Sequence, residues 1–135
     1  MIEKLELNSH ATAQSSDMLI NLSNTHGARF ILSIVPGKKC LRLFPLVDWE
    51  DICTKLDSQS NNPSIRSLKQ LITGFAFEIT IKPPGKLTLP KPLRVYADIS
   101  RHIYLYKDED DRYEIWHPEL FTEEYPMLST TADNL

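Results

Sequence analysis

Residues 29–49 read RFILSIVPGKKCLRLFPLVDW, and this stretch is the strongest structural signal in the chain. Two runs rich in β-branched, aromatic and leucine residues flank Pro36 and Gly37, a pair that favours a tight turn. The pattern predicts a β-hairpin with arms over residues 29–35 and 40–44. Asp48 follows as the expected N-cap of a short helix over residues 49–56.

The same order of features recurs in the last third of the chain. Residues 101–121 read RHIYLYKDEDDRYEIWHPELF, and an alignment without gaps that places Arg101 on Arg29 again gives strand, charged turn, strand, proline and helix. Two copies are too few for a solenoid, which needs at least three. We therefore predict a pseudo-twofold domain whose two copies share one core. Chance resemblance between two hairpins is the alternative.

Further short elements are predicted before and between the hairpins. Apolar residues at alternate positions indicate strands, and apolar residues at helical spacing indicate helices. Pro63 suits the first turn of a helix that Gly74 interrupts or ends. The strands are expected over residues 5–8, 77–82 and 86–89, and the helices over residues 18–22, 63–75, 92–97 and 118–124.

Composition narrows the class of protein. The chain has 135 residues, of which 41% are hydrophobic and 24% charged, as in globular domains. Its longest apolar run, residues 30–35, is far shorter than the ~20 residues that span a bilayer. The first ten residues lack the apolar segment of a signal peptide, so we expect a cytoplasmic protein without a membrane partner. Cys40 and Cys53 are then expected to be structural thiols.

Charge is distributed unevenly along the chain. The formal net charge is −3, which taken whole argues against a strongly basic nucleic-acid binder. Residues 1–99, however, hold twelve Lys and Arg against nine Asp and Glu, a net +3, whereas residues 100–135 hold three against nine, a net −6. This asymmetry leaves room for a basic face in the first three quarters of the chain.

Four segments together resemble the MraZ family of bacterial transcriptional regulators. Residues 40–50, CLRLFPLVDWE, look like the family's apolar strand and the start of its "W-E" helix. Residues 65–75 look like its middle helix, which ends in a glycine. Residues 85–90, GKLTLP, followed by Leu93 and Arg94, look like its glycine-arginine strand element, and residues 113–116, YEIW, look like its final strand. The resemblance covers roughly residues 29–124.

The resemblance implies an α+β fold. That fold is a pseudo-twofold repeat of AbrB-like swapped-hairpin β-barrel halves with short helices. It implies a first repeat over residues 1–56, a linker and middle helix over residues 57–76, a second repeat over residues 77–124, and a flexible tail over residues 125–135.

The resemblance also implies a function. In this family, turns with the pattern Asp, then Gly-Arg, meet DNA, and identical subunits form rings on repeated promoter-proximal boxes. Here Lys86 replaces the arginine, and Lys82 or Pro83 replaces the aspartate, depending on the alignment. The first copy, near residues 8–12 and His10, has neither glycine nor charged partner. We therefore expect a nucleoid-associated, homo-oligomeric regulator of transcription. The alternative is a degenerate member that serves as an oligomeric interaction module without strong DNA binding.

Five residues around the second turn form the predicted DNA-binding site. Lysine binds phosphate as a point charge and lacks the two-pronged geometry with which arginine reads guanine, so backbone anchoring is expected rather than base readout. A glycine in the turn would let the backbone approach a phosphate. The alternative is a set of solvated lysines on a surface loop. The five residues are Lys82, Gly85, Lys86, Lys91 and Arg94.

The sequence favours no catalytic role. The four histidines are scattered, and neither a zinc-protease motif nor a glycine-rich phosphate loop is present. The acidic residues 108–111 fall on a predicted turn, where like charges stay solvated. We expect no enzyme activity, cofactor, metal or small-molecule substrate.

Overall fold

The computed structural model describes residues 1–15 and 17–128 of the chain. Within these ranges it contains eight strands and five helices. The predicted polar tail over residues 125–135 lies outside the described residues from residue 129 onward. The result is a mixed α+β protein with a mainly antiparallel sheet and several short helices, which agrees with the predicted class.

The strands form one large sheet and one small ribbon. They are β1 (Ile2–Glu6), β2 (Thr12–Gln14), β3 (Arg29–Ile34), β4 (Leu41–Pro45), β5 (Phe77–Thr80), β6 (Lys86–Thr88), β7 (His102–Lys107) and β8 (Tyr113–Trp116). Six of them form an antiparallel sheet in the order β1-β7-β8-β4-β3-β5. The other two, β2 and β6, pair as a separate antiparallel ribbon. Both predicted hairpins, β3–β4 and β7–β8, are confirmed.

The helices follow prolines or capping side chains. They are α1 (Met18–His26), α2 (Leu46–Asp57), α3 (Pro63–Gly74), α4 (Lys91–Tyr96) and α5 (Pro118–Glu124). The Asn62 side chain accepts the Ser64 backbone N–H and caps α3, which begins at Pro63 as predicted. The described residues include no helix long and apolar enough to cross a membrane.

The prediction that Asp48 caps α2 is wrong. The helix already begins at Leu46, and Pro45 is the cap residue, with φ −52° and ψ 141°. Proline has a fixed φ and lacks an N–H, so it ends β4 and starts the helix at the same point. Asp48 lies within the first turn, where its carboxylate favours the positive end of the helix dipole.

The two hairpins meet at the centre of the sheet. Strands β4 and β8 pair antiparallel, with Arg42 directly opposite Glu114. Each outer strand pairs with the hairpin that is distant in sequence: β1 with β7, and β5 with β3. Apolar residues from both hairpins and from α1, α2, α3 and α4 form one buried core. That core makes the two hairpins parts of one packed unit.

A smaller aromatic cluster lies beside this core. It contains the buried side chains of Cys40, Tyr104, Trp116 and Phe121. Cys40 is a free thiol whose pKa burial raises to about 12, and Cys53 is a half-buried free thiol. Both cysteines are therefore structural thiols, as predicted.

Candidate nucleic-acid interface

The ribbon of β2 and β6 has one buried and one outward face. Ala13 and Leu87 lie opposite each other and point inward, each at most 3% exposed. Successive side chains of a strand alternate between faces, so the flanking residues of both strands point outward. These outward residues are Thr12, Gln14, Lys86 and Thr88.

Two similar turns lead into the ribbon strands. In the first, the Ala11 N–H donates to the Asn8 carbonyl at 3.0 Å; in the second, the Gly85 N–H donates to the Lys82 carbonyl at 2.8 Å. Ala11 has φ +57° and Gly85 has φ +88°. Because the two bonds superpose the turns at one constant spacing in sequence, Ala11 stands where the second turn has Gly85.

The turns also bind each other's strands reciprocally. The Ala11 carbonyl accepts the Leu89 N–H at 2.9 Å, and the Gly85 carbonyl accepts the Ser15 N–H at 3.1 Å. Both ends of these two bonds keep the spacing that relates the turns. Thr12 therefore occupies the position that Lys86 has in the second turn, and the first turn carries no lysine or arginine.

Gly85 packs against the protein itself. It is buried, and a Cβ at this position would lie 3.3 Å from Cγ1 of Ile20 and 3.4 Å from the Ser15 carbonyl oxygen. The missing side chain therefore lets the turn approach α1. Sequence reasoning missed this contact because Ile20 belongs to a distant part of the sequence.

The lysines of the predicted site are exposed, and in residues 1–15 and 17–128 none forms an ion pair. Lys82 and Lys86 lie in or beside the second turn, and Lys91 begins α4. Elsewhere many bases are neutralised, for example Arg101 by Glu6 at 2.6 Å. The three lysines thus present uncompensated positive charge around the ribbon.

Arg94 has a structural contact instead. It is half-buried, and its Nε donates to the Leu89 carbonyl at 3.0 Å, just beyond β6. This bond secures the chain between the ribbon and α4. Arg94 is therefore less available to a ligand than the three lysines.

The histidines do not converge on a catalytic group. His102 and His117 line one open groove of about 380 Å³. The His117 Nδ1 accepts the Glu119 N–H, so this ring caps α5. In the part of the chain that the structure describes, no group of three or more His, Cys, Asp or Glu is placed to hold a metal ion.

These features describe an α+β protein with an exposed, basic two-stranded ribbon. The chain is 38% identical over 90 residues to a "Transcriptional regulator MraZ" of Thiobacillus denitrificans, covering 66% of this chain and 60% of the relative. It is 32% identical over 107 residues to one of Shewanella sp. (strain W3-18-1), covering 78% and 70%. With one of Shewanella pealeana the identity is 30% over 97 residues, covering 71% and 63%.

The chain belongs to the MraZ family. Its matched region spans between 60 and 70% of the length of these three relatives. No protein-family model matches the chain. The relatives carry the name of a regulator and not of an enzyme.

Proposed function

We propose that this chain is a DNA-binding transcriptional regulator of the MraZ type that contacts DNA through the ribbon and its turn lysines. The observation that carries the proposal is the uncompensated charge of Lys82, Lys86 and Lys91 beside the ribbon. A two-stranded ribbon is narrow enough to enter the major groove of B-DNA, and lysines at its ends would reach phosphates on either side. The names of the relatives support the same function.

We also propose that the predicted swapped-hairpin repeat builds this surface. The halves are residues 1–56 and 77–124, joined by a linker and middle helix over residues 57–76 and followed by a tail over residues 125–135. The pairing of β1 with β7 and of β5 with β3 supports this organisation, because each half then gives its first strand to the other. Two exposed ion pairs, Arg101–Glu6 and Arg29–Glu78, also recur at positions that the hairpin repeat relates.

The subunit acts as an oligomer in this proposal. A single ribbon with three lysines has few phosphate contacts, and a chain with net charge −3 gains little from long-range attraction. Several ribbons in one ring-shaped assembly would bind repeated promoter-proximal boxes with high avidity. Such a protein would be cytoplasmic and associated with the nucleoid.

A second candidate function is an oligomeric interaction module without strong DNA binding. The neutral first turn favours it, since Thr12 stands where the second turn has Lys86. The two functions differ in how binding responds to salt. Each phosphate neutralised by a lysine releases condensed counterion, so DNA affinity must fall steeply as salt rises.

The decisive experiment combines assembly and binding. Light scattering gives the mass of the assembled protein, and the same sample is titrated with its own upstream DNA at about 50 and 200 mM salt. Regulation through the ribbon predicts a multimer whose affinity drops severalfold or more across this range. A multimer that binds no DNA at low salt supports the interaction module instead.

Lysine substitutions locate the contact surface. We expect Lys86→Ala to weaken binding to every sequence and to lower the salt slope by about 0.9, because one phosphate contact is lost. Lys86→Arg should raise affinity, because a guanidinium can form two parallel bonds to a phosphate. Lys39→Ala is the matched control: this exposed lysine lies in the β3–β4 turn, away from the ribbon. Equal losses for Lys86→Ala and Lys39→Ala would contradict the assignment.

A further inference from the structure

The outward face of the ribbon carries two different pairs of side chains. Thr12 lies opposite Thr88, and Gln14 lies opposite Lys86. The two threonine hydroxyls are 2.6 Å apart and hydrogen-bonded to each other. Directly opposed side chains have Cβ atoms only about 4.5–5.5 Å apart, so each pair meets a ligand together. The two ends of the ribbon therefore present different chemistry.

Gln14 differs from the other three outward residues in its hydrogen-bonding groups. Its amide has two N–H donors and a carbonyl acceptor. That combination matches N6 and N7 of adenine at the major-groove edge. Thr12 and Thr88 use hydroxyl groups on each other, and Lys86 offers donors alone. Gln14 is exposed and is the side chain on this face best suited to a base edge.

We propose that Gln14 is the specificity-determining residue of the ribbon, reading an adenine in the major groove while Lys86 opposite it anchors a nearby phosphate. This inference rests on the proposed function of the ribbon. It adds that base readout and backbone anchoring occur in one cross-strand pair.

The same pair fixes the orientation of the ribbon on DNA. When the two turns are superposed, Gln14 corresponds to Thr88, and Thr12 corresponds to Lys86. The approximate twofold symmetry of the ribbon is thus broken on its outward face. A ribbon with a glutamine and lysine at one end and two threonines at the other binds a non-palindromic sequence in one direction.

The test is selection of bound duplexes from a randomised DNA library by the full chain. We expect the unmodified protein to enrich adenine at one position and Gln14→Ala to lose that preference by about tenfold or more, with an unchanged salt slope. Gln70→Ala, the same change at an exposed position on α3, should keep the preference. Lys86→Ala should weaken all sequences alike and leave the preference in place.

A second substitution gives a gain of specificity. A carboxylate accepts a hydrogen bond from N4 of cytosine, so Gln14→Glu should shift the preference at that position from adenine to cytosine. Binding by the unmodified protein with the same preference in Gln14→Ala and no shift in Gln14→Glu would overturn the role of Gln14 alone. No binding to any duplex at low salt would overturn the proposed function together with this inference.

Discussion

Among single residues, Glu114 connects the two hairpins. It is 1% exposed, and Oε2 accepts a hydrogen bond from Nη2 of Arg42 at 3.1 Å. Oε1 accepts from Nε1 of Trp116 at 3.0 Å and from the Tyr125 hydroxyl at 3.2 Å. A buried carboxylate is tolerated only when it is paired and hydrogen-bonded, and these three donors meet that condition. The Lys38 ammonium donates to the same Tyr125 hydroxyl, and this bond raises the pKa of Lys38.

We expect Glu114→Gln to destabilise the fold by about 3 kcal/mol, because the Arg42 guanidinium stays largely buried without a counter-charge. Urea unfolding followed by circular dichroism measures the loss. Glu6→Gln, in the exposed pair with Arg101, is the matched control and should change stability by less than about 1 kcal/mol. Equal effects at Glu114 and Glu6 would show that the central pair is not buried in solution.

Among the structural elements, the two ribbon turns have the same backbone and different residues. The positive φ of each turn suits glycine, and an L-residue with a Cβ costs about 1–2 kcal/mol in that region. The second turn has Gly85 at this position, and the first has Ala11. The first turn therefore carries strain that the second avoids.

Exchanging these residues should change stability in opposite directions. We expect Ala11→Gly to stabilise the protein by up to about 1 kcal/mol through relief of the positive φ. Gly85→Ala should destabilise it by about 1–2 kcal/mol, since it adds the same strain and its Cβ presses on Ile20. Thermal unfolding of both variants measures the two shifts. Shifts of the same sign would contradict the equivalence of the turns.

The turns also show which elements the sequence could predict. The hairpin over residues 29–49 was predictable because its strands adjoin in sequence and Pro36-Gly37 specifies the turn locally. The ribbon was not predictable as a pair, because β2 and β6 are joined only by contacts between distant residues and Ala11 does not signal a positive φ. The repeat spacing also differs between the hairpins and the ribbon, so an alignment without gaps does not reach it.

The candidate site divides in the same way. The exposed lysines follow from composition and turn chemistry, and Lys82, Lys86 and Lys91 are exposed as expected. Gly85 and Arg94 have roles that depend on tertiary partners, Ile20 and the Leu89 carbonyl. Gln14 gave no signal in the sequence, because its importance comes only from facing Lys86 across the ribbon.

For the molecule as a whole, local pairing explains how an acidic protein presents a basic surface. Much of the acidic charge near the C-terminal end is paired within one turn: Arg112 binds Asp108 at 3.2 Å and Asp110 at 2.6 Å, and Lys107 binds Asp111 at 3.2 Å. Exposed charges interact mainly within a Debye length, about 8–10 Å at physiological salt. The paired turn therefore does little to cancel the field of the lysines around the ribbon.

The exchange of outer strands has a consequence for unfolding of the whole chain. Trp49 lies in α2 of the first half, and Trp116 lies in β8 of the second half. Because β1 completes the sheet beside β7 and β5 completes it beside β3, neither half keeps its sheet when the other unfolds. We therefore expect Trp116→Phe and Trp49→Phe, each leaving one tryptophan as a local fluorescent probe, to show unfolding midpoints in urea that match the circular dichroism midpoint of the same variant. All samples are compared at one protein concentration, because assembly would shift apparent stability. Two separated transitions would mean that residues 1–56 and 77–124 unfold as independent domains, which the shared sheet does not allow.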